Sequence, residues 1–225
     1  RGKLAGIEKA DSVTIDAHKQ MYVPMGAGMA LFKDPKHSNA VRHHAQYILR
    51  QGSKDLGATT LEGSRNGMAM MVYSSLHILG RRGYELLINK SIELAHEFAD
   101  MINAHPDFEL MTQPTLSLLT YRLRPQALAQ LASMPSPDMK YINGKLDALT
   151  VSVQKQQREA GKSFVSRTRI EIEKYNDEAI TVFRVVLANP LTTNQHLSAI
   201  LDEQLAIAQR GKIWPALVGY AAKSA

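Results

Sequence analysis

The order of elements along the chain predicts an α/β protein whose C-terminal part is α+β. Three observations carry this. Two short apolar or β-branched runs flank a His18-Lys19 turn near the start. From Gly67 to His105, apolar residues recur at helical spacing. Beyond residue 105 the pattern becomes strand, strand, helix, strand, strand, helix. The domain boundary is therefore placed there, with residues 1–105 in one domain and 106–225 in a second.

Ser12-Val-Thr-Ile-Asp16 is β-branched and bounded by polar residues, which predicts a strand. Met21 to Gly28 is punctuated by Pro24, Gly26 and Gly28 and excludes a regular helix. Met29 to Lys33 predicts a second strand, stopped by Asp34-Pro35. Residues 37–66 are polar and aperiodic, the signature of a long connection, and such connections are usually functional. Met68, Met71, Val72, Ser75, Leu76 and Leu79 share one helical face, Gly80 to Gly83 breaks it, and Ile88, Ile92, Ala95, Ala99 and Ile102 form the stripe of a second helix. His105-Pro106 ends that helix. Strands are expected at Phe108–Met111, Leu116–Arg122, Phe164–Ile172 and Val182–Leu187, with a helix over about 138–160 marked by Leu146, Leu149 and Val153. Thr192-Thr193-Asn194 supplies N-caps for a last helix with Leu197, Ile200, Leu201, Leu205 and Ala208 inward.

Composition narrows the function. The 225 residues are 44% hydrophobic and 21% charged, with no cysteine and a net charge of +6. That is the balance of a folded globular chain. No run approaches the roughly 18 apolar residues of a membrane span, and Arg1-Gly-Lys-Leu-Ala-Gly, a basic flank with no apolar core behind it, is not expected to be a signal peptide. Zero cysteines exclude disulfides, thiol nucleophiles and cysteine-ligated metals, and fit a reducing cytoplasm. The basic balance permits an anionic ligand or nucleic acid. However, Arg81, Arg82, Arg122, Arg124 and Lys212 are scattered without interleaved aromatics and read as solvated surface, so a nucleic-acid-binding role is only an alternative.

Three places could carry chemistry, and a fourth is considered and set aside. Lys19 follows an apolar strand in a tight turn, and a neutral lysine forms Schiff bases with carbonyl cofactors; the competing reading is a surface turn lysine. Gly63-Ser64 before the first long helix offers backbone amides to an anion, unless it is an ordinary helix entry with Ser64 or Asn66 as cap. Arg184 sits inside the apolar run Val182-Phe-Arg-Val-Val-Leu187, where burial would demand an anionic partner, a bound carboxylate or a structural ion pair. His43 and His44 are adjacent, point apart on a strand and have no carboxylate cluster, so no metal site is expected.

The run Asp11-Ser12-Val-Thr-Ile-Asp-Ala-His18-Lys19, followed by Met25-Gly-Ala-Gly28 and Met29-Ala-Leu-Phe-Lys33, resembles the cofactor-lysine segment of the group II pyridoxal-phosphate decarboxylases. This family includes the glutamate, aromatic amino acid and diaminobutyrate decarboxylases, and the similarity continues through nearly the whole chain. It implies the C-terminal part of a fold-type I pyridoxal-phosphate enzyme: the end of the large cofactor domain, then a small α+β domain. The aspartate that pairs with the pyridine nitrogen and the ring-stacking histidine lie upstream in that family, beyond the eighteen residues before Lys19.

The resemblance assigns roles. Lys19 bonds pyridoxal 5'-phosphate, and His18 lies beside the phosphate or holds the turn. Tyr47, in His43-His-Ala-Gln-Tyr47-Ile-Leu49, matches a catalytic-loop tyrosine that protonates Cα after carbon dioxide leaves; the competing reading is a tyrosine packing on its own loop. Gly63 and Ser64 stand where a Gly-Arg reaches the neighbouring subunit's cofactor phosphate. Arg184 matches an arginine that binds substrate carboxylate. The family's Asn-Pro is here Asp16-Ala17, and an aspartate facing a phosphate repels it, so that phosphate contact is not carried over. The stretches 146–168 and 183–193 are most similar to the bacterial branch that decarboxylates aspartate to β-alanine, with glutamate and diaminobutyrate as alternative substrates. A homodimer with a shared active site, binding neither nucleic acid nor membrane, is the implied assembly. A fragment that keeps the fold without the chemistry is the reading from another class.

Overall fold

The computed structural model describes residues 4–43, 52, 56–60, 62 and 64–224. Its contacts divide the chain into two compact units, Arg1–Glu85 and Leu86–Ala225.

In the first unit, β1 (Ser12–Asp16) and β2 (Gly28–Phe32) form an antiparallel pair with Ser12 opposite Phe32 and Asp16 opposite Gly28. The second strand begins one residue earlier than its apolar run, because Gly28 completes the ladder opposite Asp16. Ala17, Val23, Ala27 and Val72 are buried beneath the turn that joins the strands, with Met21, Met29 and Met68 packed around them. Among the described residues, two short 3-10 helices, Pro35–Val41 and Leu56–Thr59, lie at and within the aperiodic connection. The first has proline at its start and an Asp34 side chain that accepts from the Lys36 amide at 2.8 Å.

Helix α1 spans Met68–Ala104 and passes through the expected break. Gly80 alone leaves the helical conformation, at φ 59° and ψ −179°, a region open essentially to glycine. Gly83 stays helical, so the break is a one-residue kink rather than a loop.

The second unit is an antiparallel sheet of order β3-β4-β6-β5, built from β3 (Phe108–Thr112), β4 (Leu118–Leu123), β5 (Ser166–Ile172) and β6 (Glu178–Val186). Helices α2 (Ser136–Ala160), α3 (Asn194–Arg210) and α4 (Ile213–Ser224) complete it. Leu94, Phe98 and Ile102 of α1 share one core with Leu119, Tyr121, Phe183, Leu146, Leu149, Leu197 and Trp214. Burying such side chains is worth about 1.5–3 kcal/mol each. Thr193 caps α3 as expected, accepting from the His196 amide while His196 accepts from the Thr193 amide. Gly161 ends α2 in the left-handed conformation, at φ 69°.

Two features depart from the sequence reading. The chain does not end with α3: Trp214, Leu217 and Ala221 are buried at i, i+3 and i+7 along α4. In addition, polar groups are built into the core. Glu109 accepts from the fully buried Arg122 at 3.0 Å and from the Tyr175 hydroxyl at 2.7 Å. Lys174 reaches the same carboxylate, and Arg122 also donates to Asn143 at 2.9 Å. The Arg122 guanidinium lies 4.5 Å from the Tyr175 ring centre. Arg122, read from sequence as a solvated surface residue, is instead the buried centre of this cluster, because β4 is an inner strand of the sheet.

Candidate active site

The Lys19 turn is defined by its own backbone. The Lys19 amide donates to Asp16 O at 3.1 Å, the Tyr22 amide to Lys19 O at 3.1 Å, and the Val23 amide to Ala17 O at 3.4 Å. Tyr22 takes φ 56°, unusual for a bulky residue and a sign of strain held by its surroundings. His18 spends its side chain on the turn: Nδ1–H donates to Ala27 O at 3.0 Å, beside the His18 amide's own bond to that carbonyl. Since a carbonyl can only accept, Nδ1 carries a proton. Of the two roles open to His18, holding the turn is the one with a bond in the structure.

The Lys19 side chain projects outward, 70% exposed, with Nζ 2.7 Å from Asp16 Oδ2. Hydrogen bonding and charge from Lys19 hold the Asp16 carboxyl below its ordinary value. Asp16 is therefore an anion paired with the lysine, which gives this departure from the family's asparagine a physical role.

A second set of contacts had no sequence signal. Tyr84 Oη donates to Met21 O at 2.9 Å, Ser75 Oγ lies 3.2 Å from the same carbonyl, and the two hydroxyls are 2.7 Å apart. Both residues belong to α1, on either side of the Gly80 kink.

Ser64 is exposed and stands four residues before Met68, the first residue of α1, so it does not cap that helix. Tyr47 and Gly63 lie outside the described residues, as does His44 of the histidine pair.

Arg184 belongs to the second unit, and there the expected burial fails. Ile180 to Phe183 are buried, but Arg184 is exposed. The apolar run turns outward at this residue, so no buried anion is needed to hold it. It sits in a row of hydroxyl-bearing residues across all four strands: Thr112 opposite Thr120, Thr120 opposite Arg184, and Arg184 opposite Ser166. The Thr112 and Thr120 hydroxyls are 2.9 Å apart, and Ser166 Oγ donates to Arg184 O at 2.7 Å. The arginine's backbone is thus pinned while its side chain remains available to an anion.

Comparison with known proteins places this geometry. The pyridoxal-dependent decarboxylase conserved domain matches residues 1–124. The chain is 58% identical over 214 residues to aspartate 1-decarboxylase of Aliivibrio fischeri, covering 95% of this chain and 39% of that protein. It is 24% identical over 217 residues to L-2,4-diaminobutyrate decarboxylase of Acinetobacter baumannii, covering 94% and 39%. The crystal structure of mouse CSAD in apo form superposes with a TM-score of 0.78 at 20% identity, over 92% of this chain and 42% of that one. That of Oryza sativa TDC with PLP and tryptamine gives 0.72 at 16% identity, over 92% and 40%. The chain spans about two fifths of the length of these proteins. It has the fold of the corresponding part of those structures and belongs to the pyridoxal-dependent decarboxylase family.

Proposed function

We propose that this chain supplies the cofactor-bonding lysine and the C-terminal domain of a pyridoxal-phosphate-dependent α-decarboxylase acting on aspartate and releasing β-alanine. The single observation that carries the reading is 58% identity over 214 residues to aspartate 1-decarboxylase. Identity to the diaminobutyrate enzyme is 24%, which ranks that substrate lower. Glutamate remains the nearest chemical alternative, one methylene longer.

The residues present fit the cofactor. Lys19 offers an accessible primary amine on a turn fixed by backbone bonds, with Asp16 as its counter-ion. When bound, pyridoxal phosphate supplies an electron sink for the pair left behind as carbon dioxide departs. The chain's own residues do the rest. Lys19 holds the cofactor carbon, and His18 keeps the lysine's turn closed on Ala27. Gly63 and Ser64 offer backbone amides to an anion. Arg184 engages the substrate carboxylate through two parallel N–H donors. Tyr47 delivers a proton to Cα and excludes water. A homodimer sharing its active sites, in the cytoplasm, completes the reading. Among the described residues, no helix is long and apolar enough to cross a membrane.

The test is product analysis on the protein that carries this chain, loaded with pyridoxal phosphate and offered aspartate, glutamate and diaminobutyrate separately. β-Alanine from aspartate at the highest kcat/KM is expected. Preferential turnover of glutamate or diaminobutyrate overturns the substrate assignment, and no carbon dioxide release from any of the three overturns the decarboxylase reading.

A further inference from the structure

We infer that Ser75 and Tyr84 are positioning residues for Lys19, acting through the carbonyl of Met21. The inference rests on the reading of Lys19 as the cofactor-bonding lysine.

In an unbroken helix, residues nine apart are separated by about 13.5 Å along the axis and lie about half a turn from each other. Ser75 and Tyr84 are nine apart in one helix, yet their hydroxyls are 2.7 Å from each other. The Gly80 kink makes that possible. Its φ of 59° with ψ of −179° is a conformation other residues adopt only under strain, although a Cβ there would meet nothing within 4 Å. The constraint at Gly80 is therefore conformational, not steric.

The two hydroxyls converge on Met21 O. Three oxygens make three contacts, at 2.7, 2.9 and 3.2 Å, and only two protons are available. The two shortest contacts are satisfied if Ser75 donates to Tyr84 and Tyr84 donates to Met21. Tyr84 is then both acceptor and donor, and is the central member of the chain.

The recipient carbonyl belongs to the peptide unit that joins Met21 to Tyr22. That unit is planar, so fixing its oxygen fixes its N–H. The N–H is the Tyr22 amide, which donates to Lys19 O at 3.1 Å. One rigid plane thus links α1 to the backbone of Lys19, immediately before the positive φ of Tyr22. Among the described residues, the side chain of Lys19 has only the Asp16 ion pair to orient it, on an exposed surface where such pairs are weak. Its direction is set by the backbone, and the backbone is set by the helix hydroxyls.

The experiment compares wild type, Tyr84→Phe, Ser75→Ala, Ser75→Thr and the double variant Ser75→Ala/Tyr84→Phe in the pyridoxal-phosphate-loaded protein. It reads the half-saturating cofactor concentration, the pH midpoint of the lysine–cofactor absorption band and the unfolding temperature of the cofactor-free form. Tyr84→Phe should raise the half-saturating concentration about five- to tenfold, the scale of one lost hydrogen bond, and move the pH midpoint. Ser75→Thr, which keeps the hydroxyl, should match wild type. The double variant should fall short of the product of the single effects, because both act on one carbonyl. Tyr84→Phe with a lower unfolding temperature but unchanged cofactor affinity and pH midpoint would make the cluster a fold element and overturn the inference. Wild type showing no lysine–cofactor band would instead overturn the reading of Lys19 itself, a distinct failure.

Discussion

Arg184 on β6 stands directly opposite Thr120 on β4, and the two differ sharply in burial: the threonine is 3% exposed while the arginine is open to solvent. The sheet holds the arginine's backbone and, among the described residues, leaves its guanidinium uncommitted. Arg184→Lys should therefore leave the unfolding temperature nearly unchanged, since exposed substitutions fall within about 0.5 kcal/mol. It should raise KM for aspartate by the loss of a bidentate contact, about 1.5–3 kcal/mol. Steady-state kinetics beside a thermal melt separates the two. Unchanged KM with a lowered melt would mark Arg184 as structural.

Tyr47→Phe removes one oxygen from the connection between the Lys19 hairpin and α1. If that oxygen carries the proton to Cα, turnover should fall by a factor on the order of 10²–10⁴ while cofactor content stays normal. Single-turnover measurement of carbon dioxide release against β-alanine formation locates the defect. Clean product at an unchanged rate would return Tyr47 to a packing role.

Glu109 governs stability in acid. Burial pushes its carboxyl up, but the Arg122 charge and the hydrogen bonds from Lys174 and Tyr175 outweigh this and hold it below the ordinary 4.5. A depressed carboxyl binds fewer protons in the folded state than in the unfolded one. Its contribution is thus fully present above the unfolded value and is lost as pH falls through the folded one. Wild type should lose stability steeply below about pH 4.5, and Glu109→Gln should flatten that loss. At neutral pH Glu109→Gln should cost about 3–5 kcal/mol, because it leaves Arg122 buried without its anion. Denaturant melts across this pH range would show it, and parallel pH profiles for the two proteins would contradict it.

Local signals made much of this molecule legible. The β1 strand, the N-cap at Thr193 and the alternation of β5 all follow from neighbours in sequence. What escaped depends on partners far along the chain. Arg122 reads as one basic residue among several until Glu109 of β3 and Tyr175 are brought around it. Arg184 sits in an apolar run, and the run alone does not reveal which side of the strand stays covered. Ser75 and Tyr84 fall on opposite sides of any regular helix, so no periodicity could pair them; the glycine kink does. The Lys19 turn, by contrast, was legible as a motif, and the structure added its Asp16 counter-ion.

The central claim is that Lys19 bonds the cofactor. Borohydride reduction of the pyridoxal-phosphate-loaded protein, followed by proteolysis and mass spectrometry of the labelled peptide, tests it directly. The account predicts one phosphopyridoxyl group, on Lys19, and none in Lys19→Ala. Stoichiometric label on another lysine, or label persisting in Lys19→Ala, would contradict it.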